Sequence, residues 1–151
     1  MVATEPWDEV VPGLWQGGDE RSPVGEFDHV VSLCPWGEDC TPGPPDQTTW
    51  FIADGPVPDP EERILEIARE VSDRLDRGEQ VLVRCQMGMN RSGLIVAATL
   101  LLRGWTADEA IERIRGRRDR LALSNQNFVA WLQAQESRDL GAGDATSRPD
   151  A

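Results

Sequence analysis

Short apolar bursts punctuated by turn residues fill the first half of the chain, and longer stretches with helical spacing fill the second. Val10, Val11, Leu14 and Trp15, interrupted by Pro12-Gly13, predict a short opening strand or hairpin. The β-branched, apolar run His29–Cys34 reads as a buried strand. Four prolines and two glycines between Pro35 and Gln47 predict a long irregular loop. Thr48–Ala53 is the next strand, ended by Asp54-Gly55-Pro56, and Val81–Val83 is a further one. Between them Ile64, Ile67, Ala68, Val71 and Leu75 recur at helical spacing. Asp59 is placed to cap that helix, with Pro60 at its first position, Glu61 and Glu62 in the first turn and Gly78 closing it. Gly93–Arg103 predicts a buried helix stopped by Gly104. Thr106 and Glu109 have the spacing of a capping box, and Asn125 can cap a final helix bearing Phe128, Val129 and Leu132. Short strands alternating with helices define an α/β fold, a central, mostly parallel sheet of short strands flanked by helices.

Composition narrows this picture. A chain of 151 residues fits one domain, expected over residues 1–138. Residues 139–151, rich in Gly, Ala, Asp, Ser and Pro, are expected to be a disordered tail. The longest apolar run, Leu94–Leu102, is about half of the roughly 18 residues that a bilayer requires, so no membrane partner is expected. The first residues carry Glu5, Asp8 and Glu9 rather than a basic, then apolar leader, and the expected location is cytoplasmic. With 27 acidic and 15 basic residues the net charge is −12, which disfavours non-specific nucleic-acid binding. Three cysteines (Cys34, Cys40, Cys85) and a single histidine, His29, give neither a disulfide framework nor a Cys/His zinc spacing, so no metal is expected.

The chemistry concentrates where the Val81–Val83 strand meets the Gly93 helix. Cys85 ends the strand, Arg91 follows six positions later, and Ser92 is next. Backbone N–H groups in a tight loop at a helix N-terminus converge on an oxyanion. Gly88 permits backbone conformations that a side chain forbids, so Gln86, Met87, Gly88, Met89, Asn90 and Arg91 are candidate phosphate-binding residues. Arg91 can grip two phosphate oxygens with its planar fork. A cysteine at the base of such a cradle sits in a positive field that favours the nucleophilic thiolate, and Ser92 can donate to the sulfur when it leaves.

Cys85-Gln86-Met87-Gly88-Met89-Asn90-Arg91-Ser92 resembles the active-site loop of the protein tyrosine phosphatase superfamily. Within that superfamily the chain is similar to the small dual-specificity phosphatases. Pro12–Gly17 is similar to their opening segment, and Gly104–Arg118 and Asn125–Leu132 to their last two helices. The resemblance implies a phosphatase-type fold and a cofactor-free phosphoric monoester hydrolase with a phosphocysteine intermediate. It also implies a phosphoprotein substrate carrying phosphotyrosine and, in addition, phosphoserine or phosphothreonine. The position before the cysteine, usually His in that family, is Arg84. That departure leaves open a phosphate-binding module without turnover. The Asn90–Gly93 wording leaves open an RNA 5′-triphosphatase. Oligomeric state is open too.

The reaction needs one carboxylic acid to protonate the leaving oxygen and then to activate water. Asp54 and Asp59 are the candidates. Asp59 is accounted for as a helix cap, whereas Asp54 begins a Gly- and Pro-containing loop of the kind that closes over a site. Asp54 also precedes Cys85 by 31 residues, similar to the family's general acid. Trp36 and Trp50 are expected in the core, and Cys34 and Cys40 as structural or incidental. His29 is expected to be exposed at a strand start. Arg113, Arg115, Arg117, Arg118 and Arg120 are expected to form a solvated helix face.

Overall fold

The structure is a computed structural model that describes residues 7–18, 26–33 and 46–136. The predicted Pro-rich loop, Trp36, Cys34, Cys40 and the predicted tail lie outside the described residues. Five strands form one sheet in the order β1-β2-β5-β3-β4. These are β1 (Trp7–Val11), β2 (Leu14–Gly17), β3 (His29–Ser32), β4 (Gln47–Thr49) and β5 (Val81–Arg84). The β1–β2 hairpin is antiparallel, and the other three pairings are parallel. Gly13, at φ +86°, makes the turn that Pro12-Gly13 predicts. β4 is shorter than the predicted Thr48–Ala53 strand. The chain nevertheless stays bound to β3 through Trp50 N–H to Ser32 O (3.0 Å) and Ile52 N–H to Leu33 O (3.1 Å).

Alternation along β5 divides the interior into two faces. Val81, Val83 and Cys85 face the main core, shared with Leu14, Val31 and the helices. Leu82 faces a smaller cluster with Trp7, Phe27 and Val30, where Trp7 and Phe27 meet edge to face at 5.3 Å. The four helices are α1 (Glu62–Asp76), α2 (Arg91–Leu102), α3 (Ala107–Arg117) and α4 (Gln126–Gln135). α2 is buried from Ser92 to Leu101, which is why its sequence is apolar all round rather than on one face. The predicted punctuation is found at three helices. Thr106 and Glu109 form the capping box of α3, Asn125 accepts from Asn127 and Phe128 N–H ahead of α4, and Gly78 (φ +81°) follows α1.

Two expectations are corrected. α1 starts at Glu62 with Glu61, not Asp59, at its cap and no side-chain cap bond. The Asp59–Pro60 peptide is cis, and Arg63 and Ile64 N–H close turns onto the carbonyls of Pro60 and Glu61. His29 is buried rather than exposed, because β3 lies inside the sheet between β5 and β4. Its ring contacts Asp46 Oδ1 (3.2 Å) and Thr48 Oγ1 (3.0 Å). Burial and the nearby charge of Arg74 hold its pKa below the ordinary value.

Candidate active site

Cys85 emerges from the carboxyl end of β5, the central strand, where both flanking strands run parallel to it. In open α/β sheets ligands collect at this end. Its N–H donates to Gly17 O (3.2 Å), tying the start of the loop to the end of β2. The side chain is 1% exposed. Its Sγ accepts from Ser92 N–H at 3.3 Å and lies 3.3 Å from Ser92 Oγ. The sulfur therefore occupies an acceptor position at the N-terminus of α2, where the helix dipole favours negative charge.

The loop between them is held from outside by its carbonyls. Met87 O accepts from Arg118 Nη2 (3.2 Å), and Gly88 O accepts from Arg118 Nε (3.1 Å) and Gln16 Nε2 (3.0 Å). Met89 O accepts from Leu123 N–H (3.4 Å) and Asn90 O from Leu94 N–H (2.9 Å). Across a trans peptide the N–H points opposite to the carbonyl. The N–H groups of Gly88, Met89, Asn90 and Arg91 are thus turned away from these supports, and none has an acceptor among the described residues. Such a nest of unpaired amides is an anion site. Gly88 is required for it: its φ is +72°, and a Cβ there would lie 2.5 Å from Arg118 Nη2 and 2.6 Å from Gly17 C.

Arg91 opens α2 and sends Nη1 to Ile52 O (3.1 Å), so the guanidinium bridges the loop to the segment carrying Asp54. Asp54 is exposed and doubly held: Asn90 Nδ2 donates to its Oδ2 (3.0 Å) and Asn125 Nδ2 to its Oδ1 (2.7 Å). Asn125 also donates to Gly55 O (3.0 Å), and its own N–H donates to Asn90 Oδ1 (2.9 Å). The structure thus brings Asp54, the loop and the start of α4 into one network. Asp59 has no place in it.

Arg84, beside the nucleophile candidate in sequence, faces the opposite side of the sheet from Cys85. It is 2% exposed, and its Nε donates to Ser32 Oγ at 2.9 Å, directly across the β3–β5 pairing. The predicted solvated arginine face is corrected as well. Arg118 binds the loop and Asp8 (2.9 Å), Arg115 binds the carbonyls of Ala122 and Leu123, and Arg113 stacks on Trp105 at 5.1 Å. Only Arg117 and Arg120 of the five are exposed. Gln16, Arg118 and Asn125 were not singled out as site residues from sequence. For Gln16 a signal existed: alternation along β2 puts this amide on the same face as Leu14, inside the core.

Residues 45–138 match the family model for the dual specificity phosphatase catalytic domain, and the chain belongs to that family. Dual specificity protein phosphatase 13B of Mus musculus is 34% identical over 87 residues, a stretch covering 56% of this chain and 43% of that protein. The chain therefore spans less than half the length of that relative. Among solved structures, a mouse protein described as a dual specificity phosphatase in complex with zinc tungstate superposes with a TM-score of 0.76 at 23% identity, covering 90% of this chain and 89% of the other. Human DUSP28 superposes with a TM-score of 0.73 at 21% identity, covering 85% and 94% respectively. At these identities the superpositions speak to the fold.

Proposed function

We propose that this chain hydrolyses phosphate monoesters on phosphoproteins, at phosphotyrosine and also at phosphoserine or phosphothreonine, through a phosphocysteine. The observation that carries this reading is the loop itself, with the carbonyls of Met87, Gly88 and Met89 bound outward, that of Asn90 in the first turn of α2, and the intervening amides left for an oxyanion around Cys85. In the first step Cys85 Sγ bonds to phosphorus while the ester P–O bond breaks, and Asp54 delivers a proton to the departing oxygen. In the second step a water attacks phosphorus, Asp54 takes its proton, and the S–P bond breaks with Ser92 donating to the released thiolate. Arg91 and the loop amides hold the equatorial oxygens throughout, the preorganised electrostatics that dominate phosphoryl transfer. No metal enters the scheme. A free thiolate nucleophile suits a reducing compartment such as the cytoplasm.

Turnover of p-nitrophenyl phosphate by the wild type and its loss in Cys85→Ser is the expected outcome; activity persisting in Cys85→Ser overturns the reading. A second reading, phosphate-dependent binding without turnover, is motivated by Arg84 at the family's usual histidine position. Retention of a phosphotyrosine peptide with no phosphate release at any pH would favour it. Against it stands the position of Arg84, whose guanidinium is engaged on the far face of the sheet and leaves the loop contacts intact.

A further inference from the structure

We infer that Gln16 is a positioning residue that acts through Ser92 to keep a hydroxyl proton on the Cys85 sulfur. The inference rests on the phosphatase reading of the loop. Gln16 is completely buried at the end of β2, and its Nε2 donates twice, to Gly88 O (3.0 Å) and to Ser92 Oγ (3.2 Å). Its Oε1 has no partner among the described residues, so the amide is not placed here to satisfy itself. Gly88 O can only accept, which fixes the nitrogen end of the amide toward the loop. Ser92 Oγ must then accept from Gln16, which leaves its single O–H to donate. The Cys85 thiol Sγ, 3.3 Å away, donates to Ser92 Oγ, and once deprotonated it is the acceptor within reach of the Ser92 O–H. The same amide therefore braces the loop at Gly88 and sets the rotor at Ser92. Gly93 packs beside it and leaves room for Leu123, whose Cγ would lie 2.9 Å from a Cβ at that position.

The test follows alkylation of Cys85 by iodoacetamide across pH, read by mass spectrometry of the Cys85 peptide, alongside kcat and KM for p-nitrophenyl phosphate. The charged groups around the loop are Arg84 on β5, Arg91 on α2, Arg118 after α3, Asp8 on β1 and Asp54, and all are retained in every variant. Gln16→Leu and Gln16→Met, checked for folding by thermal melt, are expected to shift the alkylation profile to higher pH. Their kcat is expected to fall roughly tenfold, the scale of one hydrogen bond to a charged group, with a smaller change in KM. Ser92→Ala is expected to show the same loss, and Gln16→Leu added to Ser92→Ala little more. Gln16→Glu should be worse than Gln16→Leu, because a carboxylate takes the Ser92 proton for itself and repels Gly88 O. Folded Gln16→Leu and Gln16→Met proteins with wild-type alkylation profiles, or losses that multiply in the double variant, overturn the inference. Should neither variant fold, the Gln16 side-chain amide NMR signals are compared between wild type and Ser92→Ala, where unmoved signals overturn it. A wild type that alkylates in the expected Gln16-dependent way but turns over no phosphate ester would remove the phosphatase reading and spare the positioning role.

Discussion

Gly88 bears the sharpest conformational demand in the loop, because its backbone lies at φ +72° and its missing Cβ makes room for Arg118 and the Gly17 carbonyl. Gly88→Ala is expected to cost about 1 kcal/mol or more of stability. It should also weaken competitive inhibition by inorganic phosphate at least tenfold, measured with p-nitrophenyl phosphate as the reporter. Leu123 makes the reciprocal contribution. It holds an unfavourable φ of +58° while buried against Gly93, and its N–H supports Met89 O. At this scale the sequence disclosed where the loop lies, since Cys85, Gly88 and Arg91 are residue types whose chemistry or backbone freedom stands out without any neighbours. It hid the residues that serve by reaching. Arg118 and Asn125 are ordinary polar residues until the fold delivers loop carbonyls and a carboxylate to them.

Between elements, the end of α3 and the start of α4 do different work. Arg118 joins β1 to the loop through Asp8 and two carbonyls. Arg118→Met keeps the side-chain length and removes these bonds. It is expected to raise KM severalfold or more while leaving Cys85→Ser-sensitive turnover detectable, checked by steady-state kinetics. Asn125 both caps α4 and holds Asp54. Asn125→Ala should lose about 1 kcal/mol with the cap and also lower kcat. Asn125→Asp should keep the cap, and hence most of the melting temperature, while its carboxylate repels Asp54 and kcat still falls. Comparison of the two variants by thermal melt and kinetics separates the roles. Helix boundaries set by capping chemistry were legible because Thr106, Asn125 and Gly78 satisfy local backbone groups. Asp59 misled for the same reason, as a good capping residue whose place is taken by a turn through Pro60 and Glu61.

For the molecule as a whole, the charge network at the opposite end of the sheet governs acid stability. Arg74 binds Asp46 (2.7 Å), Glu70 (3.2 Å) and Glu79 (2.9 Å), with His29 beside them. Hydrogen bonds from Arg74 hold Asp46 and Glu79 below the usual carboxylate range. The unfolded chain therefore takes up protons more readily than the folded one at His29, Asp46 and Glu79. The stability from His29 is complete above its ordinary value of 6.5 and is lost as pH falls through its lower folded value. That from Asp46 and Glu79 persists until pH drops below about 4. Thermal melts from pH 8 to 3 should accordingly decline in two stages, and His29→Gln should abolish the upper one. Salt should weaken the lower stage, since Asp46 is largely open to solvent. The mostly parallel α/β architecture was legible because strand and helix periods differ so plainly. The burial of His29 was not, because it depends on which strands become its neighbours.

The supports of the loop also bear on where this domain can be cut. The family match begins at residue 45, yet Asp8, Gln16, Gly17 and Ser32 all precede it. A fragment trimmed to the matching window keeps Cys85, Arg91 and Asp54 but discards three of the five strands, β1 to β3, including both neighbours of β5. It would contain every proposed catalytic group but lose the supports that Gln16 and Gly17 give the loop and that Ser32 gives Arg84. Expression boundaries for this domain therefore belong upstream of Trp7.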